Sequence, residues 1–185
     1  LSFSSMPGKI KIFLLANGRP VTIRLIDPPL HEFLPKEEHK INELANVLDL
    51  SVTEVRAKID DLKEGNPMFG TRGVRLSILI PEIIEMQVMA IFNAFKKVKS
   101  ANIEVQPEIM VPLVGNVEEL RFVKERIERI AQQQKINRDD FAIGTMIEII
   151  AGAVEAGPIA KEAEFFSFGT NDLTQGALKL SRDDG

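Results

Sequence analysis

The sequence predicts an α/β fold in which about five parallel strands alternate with helices, as an open sheet or as an incomplete barrel. Three observations carry this. Apolar residues recur with a period of two in some segments and of 3.6 in others, and the two kinds alternate with short joins, the pattern of parallel strands linked by right-handed crossovers. Of the 185 residues, 44% are hydrophobic and 27% charged, enough for one domain with a sizeable core. Finally, apolar runs stop abruptly on small and polar residues, most clearly in AIGTMIE (142–148) and FFSFGTNDL (165–173). A parallel sheet places its chemistry where its strands end in this way.

The N-terminal stretch KIKIFLLANGRPVTIRL supports two readings. Asn17-Gly18 between apolar runs is a hairpin signal. The same residues place Ile10, Phe13 and Leu14 on one helical face with Gly18 as a C-terminal cap, and Pro20 with the alternation beyond it favours helix then strand. PVTIRLI (20–26) reads as that strand, and a helix follows a Pro-rich turn at 37–48. SVTEVRAKIDDLK opens a second helix with the capping box Ser51-x-x-Glu54. TRGVRLSI (71–78) alternates like a strand. PEIIEMQVMAIFNAFKKVK begins with Pro81 at a first helical position and puts Ile84, Val88, Ile91, Phe92, Phe95 and Val98 on one face.

EIMVPLV (108–114) is a buried strand. Asn116 and Glu119 then start a helix reaching Gln133, lined by Leu120, Val123, Ile127 and Ile130. FAIGTMIEI (141–149) and FFSFGT (165–170) are two further strands around a helical segment interrupted at Gly157-Pro158.

Composition excludes several classes. A net charge of −4 and a sequence pI of about 5.4 argue against broad binding to nucleic acid or to an anionic membrane surface. No apolar run approaches the ~20 residues that span a bilayer. There is no cysteine, hence no disulfide, thiolate zinc site or cysteine nucleophile, which fits a reducing, cytoplasmic compartment. Only His31 and His39 are present, and His31 reads as a structural loop histidine.

The chemistry-bearing candidates sit at strand ends. Arg24 lies in an otherwise apolar strand just before Asp27-Pro28-Pro29; it can clamp a phosphate or carboxylate, or simply pair with Asp27. Gly70 and Gly73 flank Arg72 in the glycine-dense run GNPMFGTRGVRL, where the backbone can approach a ligand; alternation would turn Arg75 to the opposite face. Glu148 and Asp172 end two strands, and two such carboxylates suit one magnesium ion. The competing reading has each carboxylate capping the next helix. Thr170, Asn171 and the backbone of Gly169 can donate hydrogen bonds to an anion, unless Asn171 only forms a turn.

The runs VTIRLIDPPLHEFLP, NPMFGTRGVRL, PEI with MQV, IMVPLVG, IGTMIEI and FFSFGTNDLTQ with SRDD occur in one order across most of residues 20–184. Together they resemble the C-terminal phosphoenolpyruvate/pyruvate-binding domain of the pyruvate, phosphate dikinase family. The resemblance implies an incomplete (β/α)8, TIM-type barrel over residues 1–185, with 1–19 as a lead-in and the later strands outside. It implies a magnesium-dependent phosphotransferase that interconverts pyruvate and phosphoenolpyruvate, using ATP and phosphate in a longer, homodimeric parent. Arg24 and Arg72 would clamp the substrate, Glu148 and Asp172 would bind magnesium, and Gly169, Thr170 and Asn171 would contact the substrate.

The family's phosphohistidine domain and proton-donating cysteine would lie outside this chain, so these residues alone are expected to be inactive. Thr71 stands where the family has His, and Ile150-Ala151 where it has Pro-Arg, which puts an ion pair near Glu148 in question. A non-catalytic barrel-derived scaffold, a pyruvate-enolate lyase or aldolase, and a relative of phosphoenolpyruvate synthase are the alternatives.

Overall fold

The computed structural model describes residues 6–16, 18–62 and 70–180. The chain divides into two compact units, one formed by residues 28–72 and the other by residues 2–27 with 73–185.

The larger unit is built on a four-stranded parallel sheet. Its strands are β1 (Pro20–Arg24), β2 (Gln106–Val111), β3 (Ala142–Ile147) and β4 (Phe166–Phe168), side by side in chain order. Ile23 is opposite Ile109, Ile109 opposite Ile143, and Thr145 opposite Phe166. In-register residues of parallel strands point to the same side. Val21, Ile23, Ile109, Val111 and Ile143 therefore share one face, and all join the core. Thr22, Arg24, Glu108, Met110, Gly144 and Met146 line the other.

Helices cover the apolar face. α1 (Met6–Ala16) precedes β1 and packs on α5 (Pro81–Lys99) through the fully buried Phe13. It ends before Gly18, whose φ of 83° is the left-handed conformation glycine takes without strain. Helix is thus the outcome for the ambiguous N-terminal stretch, although Leu14, expected on the inner face, is 45% exposed. All six residues expected on the apolar face of α5 are buried, with Phe92 edge-on to Phe141 at 5.0 Å. α6 (Val117–Gln133) joins β2 to β3; the Asn116 side chain accepts the Glu119 N–H at 3.0 Å, the cap the sequence announced. α7 (Ile150–Val154) and α8 (Ala156–Ile159) join β3 to β4, and α9 (Thr170–Leu178) follows β4.

The smaller unit contains α2 (Glu38–Leu48) and α3 (Val52–Asp61) around Ile41, Ala45 and Val55. The capping box forms as expected: Ser51 Oγ accepts the Glu54 N–H, and the Glu54 carboxylate accepts the Ser51 N–H at 2.8 Å.

One element differs from the sequence expectation. Residues 71–78 are not a strand: Gly73–Leu79 is a helix, α4, so the described sheet has four strands rather than five. Val74, Leu76 and Ile78 do alternate, but the segment's hydrogen bonds favour the helix. The Gly73 and Val74 N–H groups donate to the Asp27 and Pro112 carbonyls, both at 3.0 Å, and the Ser77 hydroxyl donates back to the Gly73 carbonyl. The buried set Gly73, Val74, Leu76, Ser77 has helical spacing. Opposite facing of Arg72 and Arg75 by strand alternation therefore falls away. Asn17, residues 65–69 of the glycine-dense run, and the SRDD run at 181–184 lie outside the described residues.

Candidate active site

A parallel sheet brings all its strand C-termini to one edge, and the sequence candidates of the larger unit gather there. β1 ends on Arg24. Leu25 extends the ladder by one bond, its N–H donating to the Met110 carbonyl at 2.9 Å, and the chain then turns through Asp27, only 6% exposed. Arg24 is half exposed. Its Nη1 lies 3.5 Å from Asp27 Oδ2 and 4.0 Å from Met146 Sδ on β3, so the guanidinium leans across β2. Glycine at position 144 lets Phe165 pack close against β3: a Cβ there would sit 2.4 Å from the Phe165 carbonyl oxygen and 2.6 Å from its ring.

Glu148 is the first residue past β3 and is 2% exposed. Its Oε1 accepts the Leu113 N–H at 2.8 Å, an amide aimed by the left-handed turn that Leu113 (φ 61°) makes after β2. Burial holds the Glu148 pKa above the ordinary carboxylate range. The Leu113 hydrogen bond and Arg24 oppose that rise, and the charges of Asp27 and Asp172 add to it. Magnitudes explain the balance. Enclosing a carboxylate costs several kcal/mol, whereas one hydrogen bond to a charged group returns about 1.5–3 kcal/mol.

Asp172 is the third residue of α9, in its first turn, where the helix dipole favours negative charge. Gly169 is the N-cap residue of that helix. Thr170 and Asn171, both exposed, are the first two residues of that helix, among the first-turn N–H groups that lack intrahelical acceptors. Gly169 acts differently from the donor role read in the sequence. Its N–H is already given to the Ile147 carbonyl at 3.0 Å, so the sheet holds it. Its contribution is space: a Cβ would fall 2.4 Å from Glu148 Cβ and 2.8 Å from Glu148 Oε2. Arg72 is the last residue of the smaller unit, directly before Gly73.

Glu148 and Asp172 fit a magnesium ion by donor type. Among the described residues no group of three or more His, Cys, Asp and Glu is placed to hold a metal. Magnesium is normally held by one or two carboxylates with substrate and water completing its shell. Asp27 is the carboxylate that sequence reasoning took only as Arg24's partner. Its signal is an aspartate directly after the apolar pair Leu25-Ile26 at the strand end.

A cavity of 770 Å³ opens at the opposite, amino-terminal edge of the sheet, between Lys99, Glu104, Glu108, Arg138 and Asp140. Its cations are engaged, Lys99 with Asp140 at 2.6 Å and Arg138 with Glu128 at 2.9 Å, and strand C-termini are not there.

Fold and site together define an α/β protein with buried carboxylates, an arginine and a helix N-terminus at the carboxyl edge of a parallel sheet. Comparison with known proteins narrows the class. The model of the family described as PEP-utilising enzyme, PEP-binding domain, matches residues 8–185, and the chain belongs to that family. It is 52% identical over 171 residues to pyruvate, phosphate dikinase of Clostridium symbiosum, covering 90% of this chain and 20% of that protein. With the Rhizobium meliloti enzyme of that name it is 51% identical over 179 residues, covering 95% and 20%. With the chloroplastic enzyme of Flaveria pringlei it is 53% identical over 178 residues, covering 94% and 19%. The chain thus spans about a fifth of the length of these curated relatives. No single described helix is long and apolar enough to cross a membrane.

Proposed function

We propose that this chain is the phosphoenolpyruvate/pyruvate-binding part of a magnesium-dependent phosphotransferase, a pyruvate, phosphate dikinase using ATP and phosphate, and that its sheet belongs to a (β/α)8 barrel. The observation that carries the reading is Glu148: a buried carboxylate at a strand end, within electrostatic reach of Asp27, Asp172 and Arg24. Carboxylates so placed repel one another, and a divalent cation relieves that repulsion.

In this reading Glu148 and Asp172 hold magnesium, which supplies positive charge opposite the substrate's oxygens when bound. Arg24 and Arg72 grip the phosphate and carboxylate of phosphoenolpyruvate, the charge-assisted forks that guanidinium groups form best. Asp27 holds Arg24 by its ion pair, and Gly169 leaves room beside Glu148. Thr170 and Asn171 meet the substrate at the N-terminus of α9, where negative charge is favoured. The phosphoryl group would pass to a histidine on another domain of a longer, homodimeric protein, cytoplasmic or plastid in location. Positioning and charge neutralisation are what such a transfer chiefly needs.

The test is the Glu148→Ala, Asp172→Ala double variant of the full-length protein. It is expected to lose magnesium-dependent pyruvate formation from phosphoenolpyruvate while folding normally; undiminished turnover would refute the reading.

A further inference from the structure

We infer that Gln87 is a positioning residue for Arg24, acting through the backbone of the β1 turn. The inference rests on the substrate-clamp role proposed for Arg24 and extends it to a residue one shell removed.

The geometry is specific. Neighbouring N–H groups of a strand point to opposite sides. The Leu25 N–H faces β2 and is taken by Met110, so the Ile26 N–H faces away from β2, on the side where the described sheet has no strand. Ile26 is 6% exposed, so this donor is withdrawn from water. The Gln87 side chain supplies its acceptor: Oε1 lies 2.9 Å from the Ile26 nitrogen. Gln87 projects from α5 between the core residues Ile84 and Val88, both fully buried, which leaves the helix little freedom to shift. One rigid helix thus fixes the peptide midway between Arg24, which leans to Met146, and Asp27, which pairs with it. The spacing left a sign in the sequence, a glutamine three residues after Ile84 on the inward face of an otherwise apolar helix.

Two variants separate positioning from packing. Gln87→Met keeps the length and volume but removes the acceptor; Gln87→Glu keeps an acceptor oxygen in either protonation state. In the full-length protein, Gln87→Met is expected to raise the KM for phosphoenolpyruvate about tenfold, the scale of a buried donor left unsatisfied, with a smaller fall in kcat. Gln87→Glu should recover most of that loss. On an Arg24→Lys background, Gln87→Met should add little, because the group it aims is already gone. The inference is overturned if Gln87→Met leaves KM within twofold of the parent, or if its effect multiplies undiminished with that of Arg24→Lys. Loss of folding in Gln87→Met together with parent-like kinetics in Gln87→Leu would overturn it as well. If Arg24→Lys itself changes neither KM nor kcat, the failure is that of the clamp reading on which this inference stands.

Discussion

Gly169→Ala tests how tightly the β4–α9 turn is built against Glu148. The backbone there (φ −87°, ψ 81°) needs no glycine for its own sake, so any effect must come from the added methyl. That methyl would lie 2.4 Å from Glu148 Cβ, 2.8 Å from Glu148 Oε2 and 2.9 Å from Met146 Sδ. Carbon atoms in contact sit about 3.5–4.0 Å apart, so something must move by more than about 1 Å. Neither side yields easily. Glu148 is tied to Leu113 at 2.8 Å, and Gly169 to Ile147 at 3.0 Å. Overpacking of this kind costs about 1–3 kcal/mol, and at this chain length each kcal/mol lowers the melting temperature by about 2–4 °C. Affinity for phosphoenolpyruvate with magnesium should fall further than stability alone requires, because the displaced group is the proposed ligand. Thermal melts followed by circular dichroism and titration calorimetry read the two effects. Gly176→Ala is the internal control: it lies within α9 with open space around it, so the same substitution should stabilise by about 0.5–1 kcal/mol. A Gly169→Ala protein that melts at the parent temperature with unchanged affinity would show that the turn is not packed tightly against Glu148.

Glu148 holds its proton to higher pH when folded than when unfolded, so its contribution to stability is full in acid and is lost as pH rises through the folded-state value; Glu148→Gln should therefore raise the melting temperature of the magnesium-free chain at pH 8 but not at pH 4. Gly73→Ala should destabilise by more than about 1–2 kcal/mol in denaturant titrations, since φ is 54° there and the new Cβ would meet Leu113 Cβ at 2.9 Å. Ser51→Ala should cost about 0.5–2 kcal/mol, seen as faster hydrogen exchange in the first turn of α3, where the capping box is lost.

The parts of the fold legible in the sequence are those where one physical signal dominates. Long apolar stripes gave α5 and α6, Ser51 and Asn116 marked helix starts, and runs ending on Glu148 and Gly169 marked strand ends. Residues 71–78 read as a strand because Val74, Leu76 and Ile78 satisfy period two as well as a helix. What decided between them, the carbonyls of Asp27 and Pro112 meeting the Gly73 and Val74 N–H groups, is a tertiary contact with no trace in local pattern. The placement of Arg24, Glu148 and Asp172 at the carboxyl edge of the sheet is legible because charge at the end of an apolar run is conspicuous. Asp27 was seen but undervalued, since burial is not written in sequence. The spatial role of Gly169 was not readable either, because it depends on where the Glu148 side chain goes.

In the proposed function, Glu148 and Asp172 share one divalent cation beside the substrate. Anomalous diffraction from crystals of the full-length protein grown with manganese in place of magnesium and with oxalate tests it directly. One manganese peak is expected at about 2.1–2.2 Å from a carboxylate oxygen of each residue, with oxalate on the same ion and Arg24 against the oxalate. A manganese site elsewhere, with both carboxylates uncoordinated, would contradict it.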